Sequence, residues 1–262
     1  VVAVSPGLAR HNRSGLAGLG IDLTQHQLSA RNLLNVERVR RGAQAPAPEA
    51  FTTLKNEHDI VLATMGRMSM EKNQAALIEA LALLRKQDGT EGGGAQGLSI
   101  GLAIVGSGVL EATLRARIDS LGLSGHVALL GQMDNPFPVL GGADLFVLPS
   151  LHEGQPVTLL EAMTLGTGVV ASDLPGNREL IDLGYGVLSG TSPQDIAQAI
   201  RSALADPRLA HGDFDVTEHN ARSLRDTLEA VLGPEALHQQ PQGKTASKRR
   251  RRKRAASRGK PA

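Results

Sequence analysis

Glu153 and Glu161 stand eight positions apart in HEGQPVTLLEAM (152–163), and Arg67 and Lys72 bracket GRMSMEKN (66–73). These are residues that could hold or cleave something polar. Gly154 permits a sharp bend, and Pro156 suits a first helical turn because its missing N–H would have no partner there. Glu153 then falls in a loop and Glu161 in the second turn of a helix. Eight helical steps would separate the carboxylates by roughly 12 Å, wider than the ~5–9.5 Å of a glycosidase pair facing one bond. The spacing suits a clamp on an extended ligand, one carboxylate near each end. On spacing alone, a loop glutamate before a helix and a surface glutamate on it explain the pair as simply.

Lys72 opens a helical pattern. A helix N-terminus between an arginine fork and a lysine point charge favours an anionic group such as a diphosphate. Two solvated surface cations are the plainer account. GSGVLE (106–111) carries two glycines that let backbone approach a ligand, but Glu111 stands where a dinucleotide fingerprint needs a third. The backbone of GQMDNP (131–136) can hydrogen-bond a nucleobase, and SDLPGNRE (172–179) can open a helix at Gly176 and Asn177. His152, His211 and His219 form no HxxxH pattern, so neither a catalytic nor a structural metal is expected. Met65, Met68 and Met70 read as core or rim filling.

These loops need a frame. IVLATM (60–65), LSIGLAIVG (98–106), HVALLG (126–131), ADLFVLPS (143–150) and GVVAS (168–172) are or contain apolar runs without polar alternation. Helical spacing appears in NQAALIEALALLRK (73–86), at Leu110, Leu114, Ile118 and Leu121, in VTLLEAMTLG (157–166), in PQDIAQAIRSALAD (193–206) and over 217–232. Strands of this kind, each followed by a helix, predict an α/β fold. It is a doubly wound, Rossmann-like parallel sheet of about six strands, with ligands beyond the strands' carboxyl ends. Residues 51–233 read as that domain. Residues 1–50 read as the end of a preceding domain and a linker closing in AQAPAPEA, and 234–262 as a disordered basic tail. DGTEGGGAQG (88–97) reads as a flexible loop.

The 262 residues contain no cysteine, which excludes disulfides and thiolate metal sites and fits a reducing compartment. Aromatics make up 2%, too few for base-stacking platforms. No apolar run approaches the ~20 residues of a membrane span, and the start, which lacks a Met, reads as the interior of a larger protein. Ten of the 28 Lys/Arg lie in 244–262, which has no acid, leaving 18 against 26 Asp/Glu elsewhere. The body is therefore acidic, at −8, and the end strongly basic.

Taken together and in order, GRMSMEKN, IVGSGVLEATL, HVALLGQMDNP, ADLFVLPSLHEGQPVTLLEAM and GVVASDLPGNREL resemble the donor-binding half of a GT-B glycosyltransferase. The resemblance is to the large retaining family with an E-x7-E motif, and it covers roughly residues 57–232. It implies transfer of a sugar from a nucleotide diphosphate-sugar with retention of configuration, with no cofactor or metal. Arg67 and Lys72 match the diphosphate pair, Glu153 the carboxylate near the donor sugar, and Glu161 the one on the ribose hydroxyls. These make Glu153, Arg67 and Lys72 the expected catalytic residues. Gly66, Gly108, Gln132, Met133, Gly154, Gln155, Val157, Thr158 and Glu161 are the expected donor-binding set. Pro156 stands where many relatives have glycine, which removes one amide donor near the sugar.

A GT-B enzyme also needs a second Rossmann-like domain, expected upstream of this one. NVERVRRGA, HEGQPVTLLEAM and PGNRELID with GYG look most like bacterial enzymes that glycosylate cell-surface polymers such as teichoic acids. The acceptor would then be a glycan, polymer or lipid-linked chain, and the location cytoplasmic. The polybasic run Lys248–Arg254 could add anionic membrane contact at the inner face. The alternatives are a nucleotide-sugar-binding module without turnover and a polyanion- or membrane-associated protein acting through its basic end.

Overall fold

The computed structural model describes residues 2–3, 28–29, 31–86, 98–212 and 214–232. The loop expected at 88–97 and the tail expected at 234–262 lie outside them. Near the start, β1 (Val2–Ala3) and β2 (Leu28–Ser29) pair in parallel as a separate two-stranded sheet.

The apolar runs are strands with both faces covered. They are β3 (Ile60–Met65), β4 (Ile100–Val105), β5 (Val127–Gly131), β6 (Leu145–Leu148), β7 (Gly168–Ser172) and β8 (Val187–Ser189). All pair in parallel, in the order β5-β4-β3-β6-β7-β8. Counted from β3, this is the 3-2-1-4-5-6 order of a doubly wound sheet, which reverses direction between β3 and β6. The expected fold class is met.

Alternate side chains of each strand feed two cores. Leu62, Leu102, Ile104, Leu145 and Val170 pack under the long helices at 74–86, 111–120 and 193–205. Val61, Ala63, Phe146, Leu148 and Val169 pack against the other layer. That layer begins with α1 (Val36–Gly42) and α2 (Glu49–Glu57). The first face carries α3 (Gln74–Lys86) and α4 (Glu111–Ser120). The chain continues through α5 (Phe137–Gly142), α6 (Val157–Thr164), α7 (Pro175–Ile181), α8 (Pro193–Ala205), α9 (Pro207–Ala210) and α10 (Val216–Leu232).

Several elements were not foreseen, α2, α5 and β8 among them. α2 starts inside the proline-rich stretch expected to be linker. Pro48 is its N-cap, and only Phe51 and Leu54 are buried, too short a period to stand out. α5 is six residues that end in two glycines, FPVLGG, which reads as a turn. β8 is a three-residue edge strand. α1 lies within the stretch expected to be a preceding domain's end and linker, but it is built into this layer: Val39 is 1% exposed and α1 packs on α5 and α6. Among the described residues no helix is long and apolar enough to cross a membrane.

Candidate functional site

The reversal between β3 and β6 sends the following loops to opposite sides and leaves a crevice at their carboxyl ends. After β3, a 3-10 turn at Met70–Lys72 ends at Asn73, whose backbone is left-handed at φ 53°. Asn73 Nδ2 donates to the carbonyls of Pro149 (3.1 Å) and Thr191 (3.0 Å), tying the β3 loop to those after β6 and β8. The Leu151 N–H donates to the Glu71 carbonyl at 2.8 Å. Two loops far apart in sequence thus share one rim.

On that rim Lys72 Nζ donates to Glu153 Oε1 at 2.5 Å, and Ser150 Oγ donates to the same oxygen at 2.7 Å. The lysine stem crosses Gly66, where an added Cβ would lie 3.3 Å from Lys72 Cδ. The glutamate side chain is 10% exposed. Its seat is built from below: Ser172 Oγ donates to the Ser150 carbonyl (2.5 Å), and Asn177 Nδ2 to the Ser172 carbonyl (2.8 Å). Two donors on Oε1 leave Oε2 as the oxygen able to take a hydrogen bond from a ligand. Arg67 is exposed beside the crevice, with its carbonyl held by Gln74 Nε2 at 2.9 Å.

Gly108 is needed where it is. A Cβ there would collide with the Met68 carbonyl and amide, and the Met68 N–H bonds the Ser107 carbonyl at 2.9 Å. The β3 and β4 loops are therefore laid backbone on backbone. Gln132 is exposed, with Ser107 Oγ 3.4 Å from its side-chain oxygen, and Met133 packs half-buried on the second core. Met68 is core, whereas Met70 is 72% exposed at the rim.

The helix α6 begins at Val157, not at the Pro156 cap, so only half of the Glu153–Glu161 interval is helical and the 12 Å axial spacing does not apply. Its first N–H groups, including those of Val157 and Thr158, open at the carboxyl end of β6. Glu161 is half-buried one turn on. Burial pushes its carboxyl up to about 7, against the downward pull of the Arg38 guanidinium on α1. Arg38 itself lies over the Phe137 ring, 5.9 Å from the centroid. Gln155 is turned inward. Its side-chain oxygen accepts from the Asn32 N–H (2.6 Å) and its carbonyl from Asn32 Nδ2 (2.8 Å). Lys72 and Glu153 are thus joined directly. Glu161 faces α1, and the Gln155 side chain belongs to the scaffold.

Ser150, Ser172, Asn73, Asn32 and Arg38 were not singled out from the sequence. Ser150 had a local signal, a hydroxyl three residues before a loop glutamate. The others act across distances in sequence that no spacing reveals.

Gly176 makes the tightest contact of the site. A Cβ there would fall inside the Gly154 carbonyl oxygen, because the start of α7 lies directly against the Glu153 loop. Gly176→Ala is expected to cost about 3 kcal/mol, the upper end for overpacking. In urea melts the midpoint would drop with the slope unchanged.

Residues 48–213 match the family model described as glycosyl transferases group 1. The chain belongs to the glycosyl transferases group 1 family. It is 31% identical over 205 residues to the amylovoran biosynthesis glycosyltransferase AmsK of Erwinia amylovora, covering 74% of this chain and 47% of AmsK. It is 36% identical over 124 residues to the lipopolysaccharide core biosynthesis mannosyltransferase LpcC of Rhizobium leguminosarum bv. viciae, covering 46% of this chain and 35% of LpcC. The group 1 chain therefore spans less than half the length of these curated relatives. Among solved structures, HepE of Anabaena in complex with UDP-glucose superposes with a TM-score of 0.66 at 19% identity, over 90% of this chain and 63% of HepE. A mutant of S. aureus TarM with fondaparinux, alpha-GlcNAc-glycerol and UDP gives 0.60 at 22% identity, over 87% and 40%. Those likenesses establish the GT-B half fold.

Proposed function

We propose that this chain is the donor-binding half of a retaining glycosyltransferase that uses a nucleotide diphosphate-sugar. The observation that carries the reading is the Lys72–Glu153 pair at the sheet's reversal point, with the exposed Arg67 on the same loop as Lys72. In this reading Arg67 and Lys72 hold the diphosphate and neutralise the charge that develops on the leaving nucleotide, without a resident metal. Glu153 and Glu161 form an E-x7-E motif, the first toward the sugar and the second toward the ribose. The α6 amides, Gly66 and Gly108 let backbone approach the diphosphate, and the 132–133 backbone meets the base. Family membership and the UDP-glucose and UDP complexes of HepE and TarM support a nucleotide-sugar donor.

The acceptor half is proposed to lie upstream as a second Rossmann-like domain, with a bacterial surface glycan, polymer or lipid-linked chain as acceptor. Relatives named for amylovoran and lipopolysaccharide core biosynthesis favour that class over teichoic acid in particular. The reaction would take place on the cytoplasmic side, with Lys248–Arg254 as an optional contact to anionic lipid. Because the chain spans less than half of its curated relatives, it is expected by itself to bind donor without turnover.

Calorimetric titration with UDP, GDP, ADP and CDP tests the site. One of them should bind, and Arg67→Ala should weaken it about 10- to 100-fold, the loss of a charge-assisted contact. If none binds, or Arg67→Ala leaves the affinity unchanged, the donor-site reading is wrong.

A further inference from the structure

Residues 31–34 lie between two elements that have no reason to communicate through sequence. On one side Asn32 meets the loop of Glu153. Its N–H donates to Gln155 Oε1 (2.6 Å) and its Nδ2 to the Gln155 carbonyl (2.8 Å). Gln155 is 5% exposed and Asn32 half-buried, so these bonds are partly shielded from water. The orientation of the Gln155 amide is fixed, because the Asn32 N–H can only donate and requires the oxygen opposite it.

On the other side the same four residues are held by α10. The Leu34 N–H donates to Asn220 Oδ1 (3.0 Å), and Asn220 Nδ2 donates back to the Leu34 carbonyl (2.8 Å). The Asn32 carbonyl faces His219 Nε2 at 3.4 Å, and Arg31 pairs with Asp226. A side-chain amide that mimics a strand partner at each end makes the segment a strap. It is pinned to α10 by Asn220 and to the catalytic loop by Asn32.

We propose that Asn32 is a positioning residue for the Glu153 loop, and that the 31–34 strap transmits the state of α10 to that loop. The proposal rests on the donor-site reading only for its consequence in turnover; the mechanical coupling stands on the contacts themselves. Residues 153–154 have their other supports on the far side, at Lys72, Ser150 and Gly176. Gln155 is the point at which the strap can pull. An upstream segment that shifts residues 31–34, or a partner that displaces α10, would therefore alter where Glu153 sits without touching it.

Asn220→Ala separates this from a local role, since Asn220 bonds Leu34 and not the loop. Amide hydrogen exchange is followed in the wild type, Asn220→Ala, Asn32→Ala and Asn32→Asp, all in the full chain. Exchange across 152–158 is expected to quicken about tenfold in all three variants, while the β3 and β4 amides keep their protection. Asn32→Asp keeps the shape of the side chain but removes its donor, so it should be at least as loose as Asn32→Ala. Loosening confined to 31–34 and α10 in Asn220→Ala, or wild-type exchange in Asn32→Asp, would overturn the proposal.

These readouts need no ligand, so they remain decisive even if no nucleotide binds. With a nucleotide that binds, the Asn32 variants should lower kcat for donor turnover more than they raise KM in a form of the protein that turns over. A change in KM alone would count against positioning.

Discussion

Glu153→Gln should bind the site's nucleoside diphosphate more tightly than the wild type, and should lose turnover in a form of the protein that turns over. In the unliganded site the glutamate occupies Lys72 Nζ at 2.5 Å, the same cation the diphosphate is proposed to use. A ligand must take the lysine from a carboxylate that is itself 10% exposed, and must then lie beside that negative charge. The amide removes both penalties and keeps the Ser150 contact, because Gln retains an acceptor oxygen. Removing one unit charge next to a diphosphate is expected to strengthen binding about tenfold, roughly 1.4 kcal/mol. Turnover should fall by about 10²–10³, the scale seen when one preorganised electrostatic group is removed. Titration of the binding nucleoside diphosphate with this chain, and donor-sugar cleavage in a form of the protein that turns over, check the pair of effects. Weaker nucleotide binding in Glu153→Gln would mean that the Lys72 pair supports the site rather than competing with its ligand.

That competition shows how far the sequence could be read. Strand runs such as IVLATM and GVVAS named themselves, because a parallel sheet covered on both faces must be apolar without alternation; β3 and β7 begin and end where the runs do. The meeting of Lys72 with Glu153 was not legible in the sequence; it comes from the strand order, which puts their loops on either side of the reversal. Elements whose burial is decided by tertiary contacts stayed hidden. α5 owes its helix to a place between Gly42 and the sheet, where Phe137 fills the space a Gly42 side chain would need. Asn32 and Gln155, 123 residues apart, look like ordinary loop residues until the fold apposes them. Gln155 was expected to touch the donor because of its place in the motif. Its side chain instead went to Asn32, which offered two donors that needed acceptors in a buried position.

Glu161→Gln should stabilise the unliganded protein, and more so as pH rises. The Glu161 carboxyl is raised from 4.5 to about 7 by burial. The folded protein therefore holds a proton that the unfolded chain has already lost between those values. Stability from this group is fully present below about 4.5 and is lost as pH climbs to about 7. Taken whole, the shift would be about 3 kcal/mol. Because the group is partly solvated, roughly 1–2 kcal/mol is expected. Denaturant melts of both proteins at pH 5 and pH 8 measure it: the advantage of the Gln variant should be small at the lower pH and largest at the higher. Arg38→Ala, which removes a cation that favours the charged form, should move the Glu161 midpoint further up.

A group kept at a cost to stability is expected where function requires it. The ionised carboxylate is the better acceptor for the two ribose hydroxyls that Glu161 is proposed to hold, so nucleotide affinity should rise through pH 7 as the proton leaves. The nucleotide's own phosphate also titrates near pH 6. The decisive quantity is therefore the difference between the binding nucleotide and its 2′,3′-dideoxy analogue, which lacks the hydroxyls. In the wild type that difference should widen by about tenfold from pH 6 to pH 8, and in Glu161→Gln it should be small and flat. Equal affinities for the two nucleotides at pH 8 would remove Glu161 from the ribose and leave its burial against α1 as a purely structural fact.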